Sequence, residues 1–107
     1  MEKETLHPIA QEVIYEDSDV RIWKQVIRAG ETLPRHRHDH DYCLVHLSNG
    51  QGRATFHEGT GGSLGDGIDF EFKQRSTDLV PAGHEETAVN TGDTDYRAIL
   101  IEFLNET

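Results

Sequence analysis

Short runs of β-branched and aromatic residues recur along the chain, separated by turn-forming residues about every ten positions, a spacing that marks an all-β sandwich or barrel. Val13 to Glu16 and Val20 to Arg28 flank Asp17-Ser18-Asp19, whose short side chains favour a turn, and Ala29-Gly30 ends the second run. Pro34 to His38 predicts a short strand, and Tyr42 to Ser48 a longer one. Asn49-Gly50 then gives the strongest two-residue hairpin signal in the chain, with Gln51 to Glu58 returning from it. Ile68 to Phe72 alternates cleanly, which predicts its apolar set inward and Asp69 and Glu71 in solvent. Leu79 to Ala82 leads into a turn at Gly83, Thr87 to Asn90 follows, and Tyr96 to Leu104 forms the last strand.

No stretch has helical period and length, and neither a repeat nor a linker interrupts the pattern. The expectation is a single all-β domain over residues 1–107. Gly59 to Gly67 carries five glycines and predicts a long, mobile loop. With 35% hydrophobic residues and a mean hydropathy of −0.65, the core should be lean, and a dimer interface would bury further apolar surface.

The net charge of −10 argues against nucleic acid, whose phosphates would be repelled, and against anionic membranes. Cys43 is the single cysteine, so no disulfide can form within the chain and a reducing compartment fits best. Residues 1–13 show no apolar signal core, and no membrane span stands out. The expected location is the cytoplasm.

Candidate chemistry concentrates in residues 30–50. His36, His38 and His40 fall at every second position, just before an apolar run. In an extended chain, residues two apart share one face, so His36 and His38 can present two imidazoles to one point. Imidazole suits Zn, Cu, Fe and Ni, which makes this pair the first half of a transition-metal site. Asp39 and His40 read as rim residues or as partners that orient a ligating imidazole. His46 reads either as a core histidine satisfied by a neighbour or as a group near the site. Cys43 alternates with Val45 and Leu47 and reads as a small core hydrophobe. Trp23 and Tyr96 suit the core, a barrel mouth or a dimer interface, and His7 and His57 suit the surface.

The ordered set of positions resembles the cupins. Gly30 is followed after five residues by His36-Arg37-His38, and Gly50 closes the segment, as in the first cupin motif. Pro81-Ala82-Gly83 and Asn90 match parts of the second. The resemblance implies a double-stranded β-helix, or jelly-roll, barrel with metal-site motifs within 30–50 and 81–90. It is most similar to short stand-alone cupins, some of them associated with β-alanine breakdown. Two positions depart from the family pattern. Tyr42 stands where the first motif places a glutamate ligand, and counting back from Gly50 gives Cys43 instead. Glu86 stands where the second motif places its histidine, while His84 lies two residues earlier and, in an extended strand, on the same face.

The implied ligand set is therefore His36 and His38 with Glu86 or His84, and with Tyr42 or Cys43 nearby, holding a divalent Fe, Ni, Mn or Zn ion. Two histidines and a carboxylate suit Fe(II) oxygenase chemistry, whereas three histidines serve the other metals as well. The resemblance implies a small polar or anionic metabolite in the barrel and leaves three functions open. One is a metal-dependent dioxygenase, isomerase or lyase. Another is a non-catalytic binding or sensor domain, and the last is a metal-free, epimerase-like cupin in which histidines act as acid and base. Arg53 or Arg97 would reach a substrate carboxylate, and Arg37 points the other way. A homodimer, paired through the barrel's outer face, is expected.

Overall fold

The computed structural model describes residues 6–105; residues 1–5 and 106–107 of the expected domain lie outside the described residues. Among the described residues, nine strands form two antiparallel sheets that face one another. In chain order they are β1 (Glu12–Glu16), β2 (Val20–Ile27), β3 (Thr32–Arg37), β4 (Tyr42–His46), β5 (Gly50–Phe56), β6 (Gly67–Phe72), β7 (Thr77–Val80), β8 (Glu85–Asn90) and β9 (Tyr96–Phe103). One sheet has the order β1-β2-β9-β4-β7 and the other β3-β8-β5-β6.

The first turn forms as its residues dictate. Asp17 Oδ1 accepts hydrogen bonds from the backbone N–H groups of Asp19 and Val20, at 2.8 and 2.9 Å, and β1 pairs with β2 across it. At the next turn Gly30 takes φ +76°, a left-handed conformation that costs glycine little. Pro34, which cannot donate to a ladder, sits where the β3–β8 register shifts between Leu33 and His36.

Asn49-Gly50 does not make the expected hairpin. A tight type I′ turn needs φ above zero at both central residues, and neither residue has it. β4 instead pairs with β9 and β7, while β5 pairs with β6 and β8, so the chain crosses from one sheet to the other here. Gly50 answers to packing: a Cβ there would lie 2.5 Å from Tyr96 Cδ1. Asn49 Oδ1 accepts the Gln74 N–H at 2.8 Å, tying the crossing to the β6–β7 turn.

The Gly59–Gly67 segment is not a strand before Gly67, but its backbone is anchored. It contains a 3₁₀ turn at Gly62–Leu64. Thr60 Oγ1 donates to the His57 carbonyl at 2.8 Å and accepts the Glu85 N–H at 2.9 Å. Gly61 is buried against Phe56, where a side chain would collide with the ring and with the Gly65 carbonyl.

Strand alternation decides what lies inside. Along β9, Tyr96, Ala98, Leu100 and Glu102 are buried, while the residues between them are half-buried or exposed. Register places Tyr42, Leu44 and His46 on that inner face and Cys43 and Val45 on the outer one. Cys43 is therefore half-buried on the outer surface, between Ile101 and Leu79, rather than in the core. The core is lean, as the composition requires. One cluster joins Ile9, Ala10, Tyr42 and Leu100, and another joins Ile27, Tyr96 and Ala98.

Inside the four-stranded sheet, Gly52 lets Phe70 pack across β5. A methyl group there would collide with the Phe70 ring and the Val89 carbonyl, and backbone cannot step aside as a side-chain tip can. Gly52→Ala should cost about 1–3 kcal/mol through overpacking. Urea denaturation checks this, and a variant as stable as the native chain would refute it.

Candidate metal centre

The two sequence motifs meet because β3 and β8 are neighbours. Their register sets His36 directly opposite Glu86. Just past the paired residues, the His38 N–H donates to the His84 carbonyl at 2.9 Å and the Gly83 N–H donates to the His38 carbonyl at 2.8 Å. This backbone clamp fixes the level of His38 against β8. The side chains of His36, His38 and Glu86 consequently converge on the inner face, with one ligand atom from each lying within 4.8 Å of the other two.

The imidazoles are almost fully enclosed, at 1% exposure for His36 and 2% for His38. His36 Nδ1 lies 2.8 Å from the Pro34 carbonyl, so its N–H donates there and the Nε2 lone pair faces the cluster. The Nε2 atoms of His36 and His38 stand 3.3 and 3.7 Å from Glu86 Oε1. Direct hydrogen bonds between such groups are usually about 2.7–3.2 Å. Donors sharing one cation at about 2.1 Å are separated by about 3.0–3.4 Å at ordinary coordination angles. The 3.3 Å separation falls in that range and the 3.7 Å one just beyond it, so the spacing suits a shared cation better than two direct hydrogen bonds. His38 Nδ1, by contrast with that of His36, is buried without a hydrogen-bond partner.

Electrostatics favour the same use. Burial alone pushes the Glu86 carboxyl up, but polar contact with the two imidazoles and their charge outweigh it, holding the group at about 2. Burial pushes the His38 imidazole down, against the pull of Glu86. A carboxylate beside an imidazole that resists protonation is the state in which both can donate lone pairs to a metal. The set of two imidazole nitrogens and one carboxylate oxygen fits a divalent transition ion.

The other expected ligands lie elsewhere. His84 immediately precedes β8, next to Gly83 with its φ of +111°, and so lies outside the regular strand. Its Nδ1 lies 3.3 Å from the Thr60 carbonyl and its ring packs on Phe56, outside the three-residue cluster. Tyr42 adjoins the cluster through its ring, which stacks on His38 at a centroid distance of 4.2 Å. Burial and then the Glu86 charge push its phenol far above the ordinary value, which keeps it protonated. Cys43 faces away. Arg53 and Arg97 pair with Asp69 and Asp95 at 3.0 and 3.8 Å on exposed surfaces, and neither lines the cavity.

That cavity, of about 460 Å³, runs from the His36–His38–Glu86 cluster between the sheets. Its walls are mostly apolar, with Leu33, Leu44, Phe56 and Phe72 among them. Ile68 also lines it, although it remains 39% exposed at the sheet edge. Sequence reasoning did not single out Asp78, which lines the same cavity from β7. Its signal was present only as register, since it stands opposite Leu44 on the inner face.

A family model described as auxin binding protein matches residues 4–103. The chain belongs to that family of cupins. The solved structures agree in fold. A cupin domain from Bordetella pertussis Tohama I is similar at 21% identity, over 86% of this chain and 88% of that one, with a TM-score of 0.74. An RmlC-like cupin with a double-stranded β-helix fold from Methanocaldococcus jannaschii is similar at 14% identity, over 96% and 85%, with a TM-score of 0.66. At these identities the likeness establishes the jelly-roll cupin fold. No curated protein matches the chain. No helix among the described residues is long and apolar enough to cross a membrane.

The Glu86 carboxyl gives a pH test. Its folded value, about 2, lies below the ordinary 4.5, so its stabilisation is fully present above about pH 4.5 and lost as pH falls toward about 2. In metal-free protein, Glu86→Gln should be destabilising at neutral pH, with the gap to the native chain closing below about pH 4. Denaturation at both pH values measures that gap, and one that stays constant would contradict the assignment.

Proposed function

We propose that this cupin binds a divalent transition metal, Fe, Ni, Mn or Zn, through His36, His38 and Glu86, and uses it to hold a small anionic metabolite. The observation that carries this reading is the enclosure of three lone-pair donors at one end of an otherwise apolar cavity. Three protein ligands leave coordination positions open for a ligand. The bound ion would supply positive charge to a carboxylate or carbonyl oxygen.

The chain's own residues do the rest. The Pro34 carbonyl orients His36, and the Tyr42 ring covers one face of His38. Leu33, Phe56 and Ile9 exclude water from the ligand's apolar body. The family description is consistent with this, since auxin is a small aromatic carboxylic acid that an anion-holding metal and an apolar wall would suit. The cavity supports binding directly, and supports dioxygenase, isomerase or lyase chemistry only through whatever metal occupies it. His84, two residues from Glu86 along the chain, is the residue to test as an additional ligand.

The same reading includes a homodimer in a reducing cytoplasm. Register aligns Tyr15, Ile22, Ile101, Cys43 and Leu79 in one row across the outer face of the five-stranded sheet. Leu79 is 77% exposed and Tyr15 52%. An apolar row on an exposed sheet face is the kind of surface that symmetric pairing covers.

Elemental analysis of untagged protein should find about one transition-metal ion per chain, and His36→Ala should abolish it. Small aromatic carboxylates, auxin among them, should then bind the metal-loaded protein in calorimetry and fail to bind the variant. Metal content unchanged by His36→Ala would overturn the site. Sedimentation should give a dimer at micromolar concentration that Leu79→Lys converts to monomer; a monomeric native chain would remove the interface.

A further inference from the structure

A second polar constellation lies in the wall of the same cavity. His46, on β4, is fully enclosed. Its Nε2 lies 2.7 Å from Asp78 Oδ2 on β7, and its Nδ1 lies 2.7 Å from the Tyr96 hydroxyl on β9. An ionised carboxylate only accepts hydrogen bonds, so Nε2 carries the proton given to Asp78. In the neutral ring Nδ1 is then a lone pair, and Tyr96 O–H donates to it. The order is carboxylate, imidazole and phenol, each polarising the next, as in the triads that activate a hydroxyl.

The arrangement is held on both sides. Phe72 stacks on the His46 ring at 4.1 Å and 17°. The absence of a side chain at Gly50 admits the Tyr96 ring, whose centroid lies 5.4 Å from that of Phe72. Asp78 and Tyr96 both line the cavity that holds His36, His38 and Glu86. Asp78 is half-exposed, with 54% of its side chain accessible. The chain of hydrogen bonds therefore runs from solvent, through a sealed imidazole, to a phenol in the cavity wall. Burial and then the Asp78 charge push the Tyr96 phenol up, so its proton stays in place at rest. Because that proton is committed to His46, the Tyr96 oxygen offers a bound molecule only an acceptor.

We propose that Tyr96 is a proton-accepting catalytic residue of this cavity, with His46 and Asp78 as its positioning residues, and that its substrate is a small carboxylic acid bearing an enolisable C–H. The proposal rests on the anion-holding reading of the metal end and adds a reaction class to it. For a 2-oxo acid, the C3–H bond breaks and its electron pair becomes the C2=C3 bond. The proton goes to the Tyr96 oxygen as the phenolic proton moves to His46 Nδ1. The negative charge moves to the carbonyl oxygen, and the imidazolium is balanced by Asp78. Return of the proton through Tyr96 to that oxygen completes the enol and restores the relay, so no co-reactant is consumed.

Phenylpyruvate, which combines a 2-oxo carboxylate, an enolisable carbon and an apolar ring, is the probe. In deuterated buffer, proton NMR follows the loss of its C3–H signal, and calorimetry measures its binding to the protein. The native chain should accelerate exchange above the buffer rate. Tyr96→Phe, which removes one oxygen atom, should lower the saturated rate at least tenfold with binding unchanged. Asp78→Asn, at a half-exposed position, should lower kcat severalfold and leave KM unaltered, a split that loss of structure would not give. Binding without acceleration, or a native rate in Tyr96→Phe, overturns the relay and leaves the anion-holding reading intact. Absence of phenylpyruvate binding overturns both.

Discussion

Pairing of β3 with β8 governs the inside of this barrel. It sets His36 opposite Glu86, and the two backbone hydrogen bonds joining His38 to Gly83 and His84 keep the strands in step where regular pairing ends. A slip of one residue would turn every side chain of β3 to the other face. His36 and His38 would then point outward with Arg35 and Arg37 inward. Arg35 works against that slip from outside, since its guanidinium donates to the Glu85 carboxylate at 2.7 Å. The alternate residues Glu85 and Glu86 thus serve the two faces of one strand, the first holding register and the second contributing to the cluster.

The interior is polar to an unusual degree for a lean core. Gln25, His36, His38, His46, Asn90 and Glu102 are all buried. Most of their polar atoms are satisfied within the barrel. Asn90 donates to the carbonyls of Ile27 and Thr94 and accepts from the Gly92 N–H, stitching a loop to β2. Glu102 accepts from Trp23 Nε1 at 2.5 Å and faces Arg21 at 3.5 Å. His46 is satisfied at both nitrogens. Against that background two buried atoms among the described residues are unpartnered, Gln25 Oε1 and His38 Nδ1, and the second belongs to the ring whose other nitrogen faces the Glu86 carboxylate. Buried polar atoms are expensive unless paired, and both of these residues line the cavity.

Much of this was legible in the sequence because it depends on period two. The strands, the turn at Asp17, the inward pair of imidazoles and the polarity of His46 all follow from alternation between turn residues. What was not legible depends on which strand becomes whose neighbour. Asn49-Gly50 carries a hairpin dipeptide, but tertiary packing of Tyr96 over Gly50 overrides the local preference and the chain changes sheets. Cys43 alternates with aliphatic residues, yet the apolar face it shares is the outer one, a distinction that only register against β9 resolves. His84 and Glu86 have the same parity, but β8 begins only at Glu85, so His84 falls outside the regular strand and packs on Phe56 instead. Asp78 meets His46 through pairing of β4 with β7, which no local pattern foretells.

The departures at Tyr42 and Glu86 read differently once the strands are in place. The cupin pattern puts a carboxylate on β4 and an imidazole on β8; here β8 bears the carboxylate and β4 a phenol. The cluster keeps two imidazoles and one carboxylate while giving up a third imidazole. The carboxylate sits directly across from His36, with backbone pairing to fix it. The phenol that replaces a charged group stays neutral through burial, and its ring stacks on His38. A neutral aromatic wall beside the cluster lowers the local polarity and leaves Glu86 as the charged member of the set. Fewer protein donors around a cation mean more positions for a ligand's own oxygens. With an ion bound as proposed, the substitutions would move the balance of the site from enclosing it toward presenting it to the cavity.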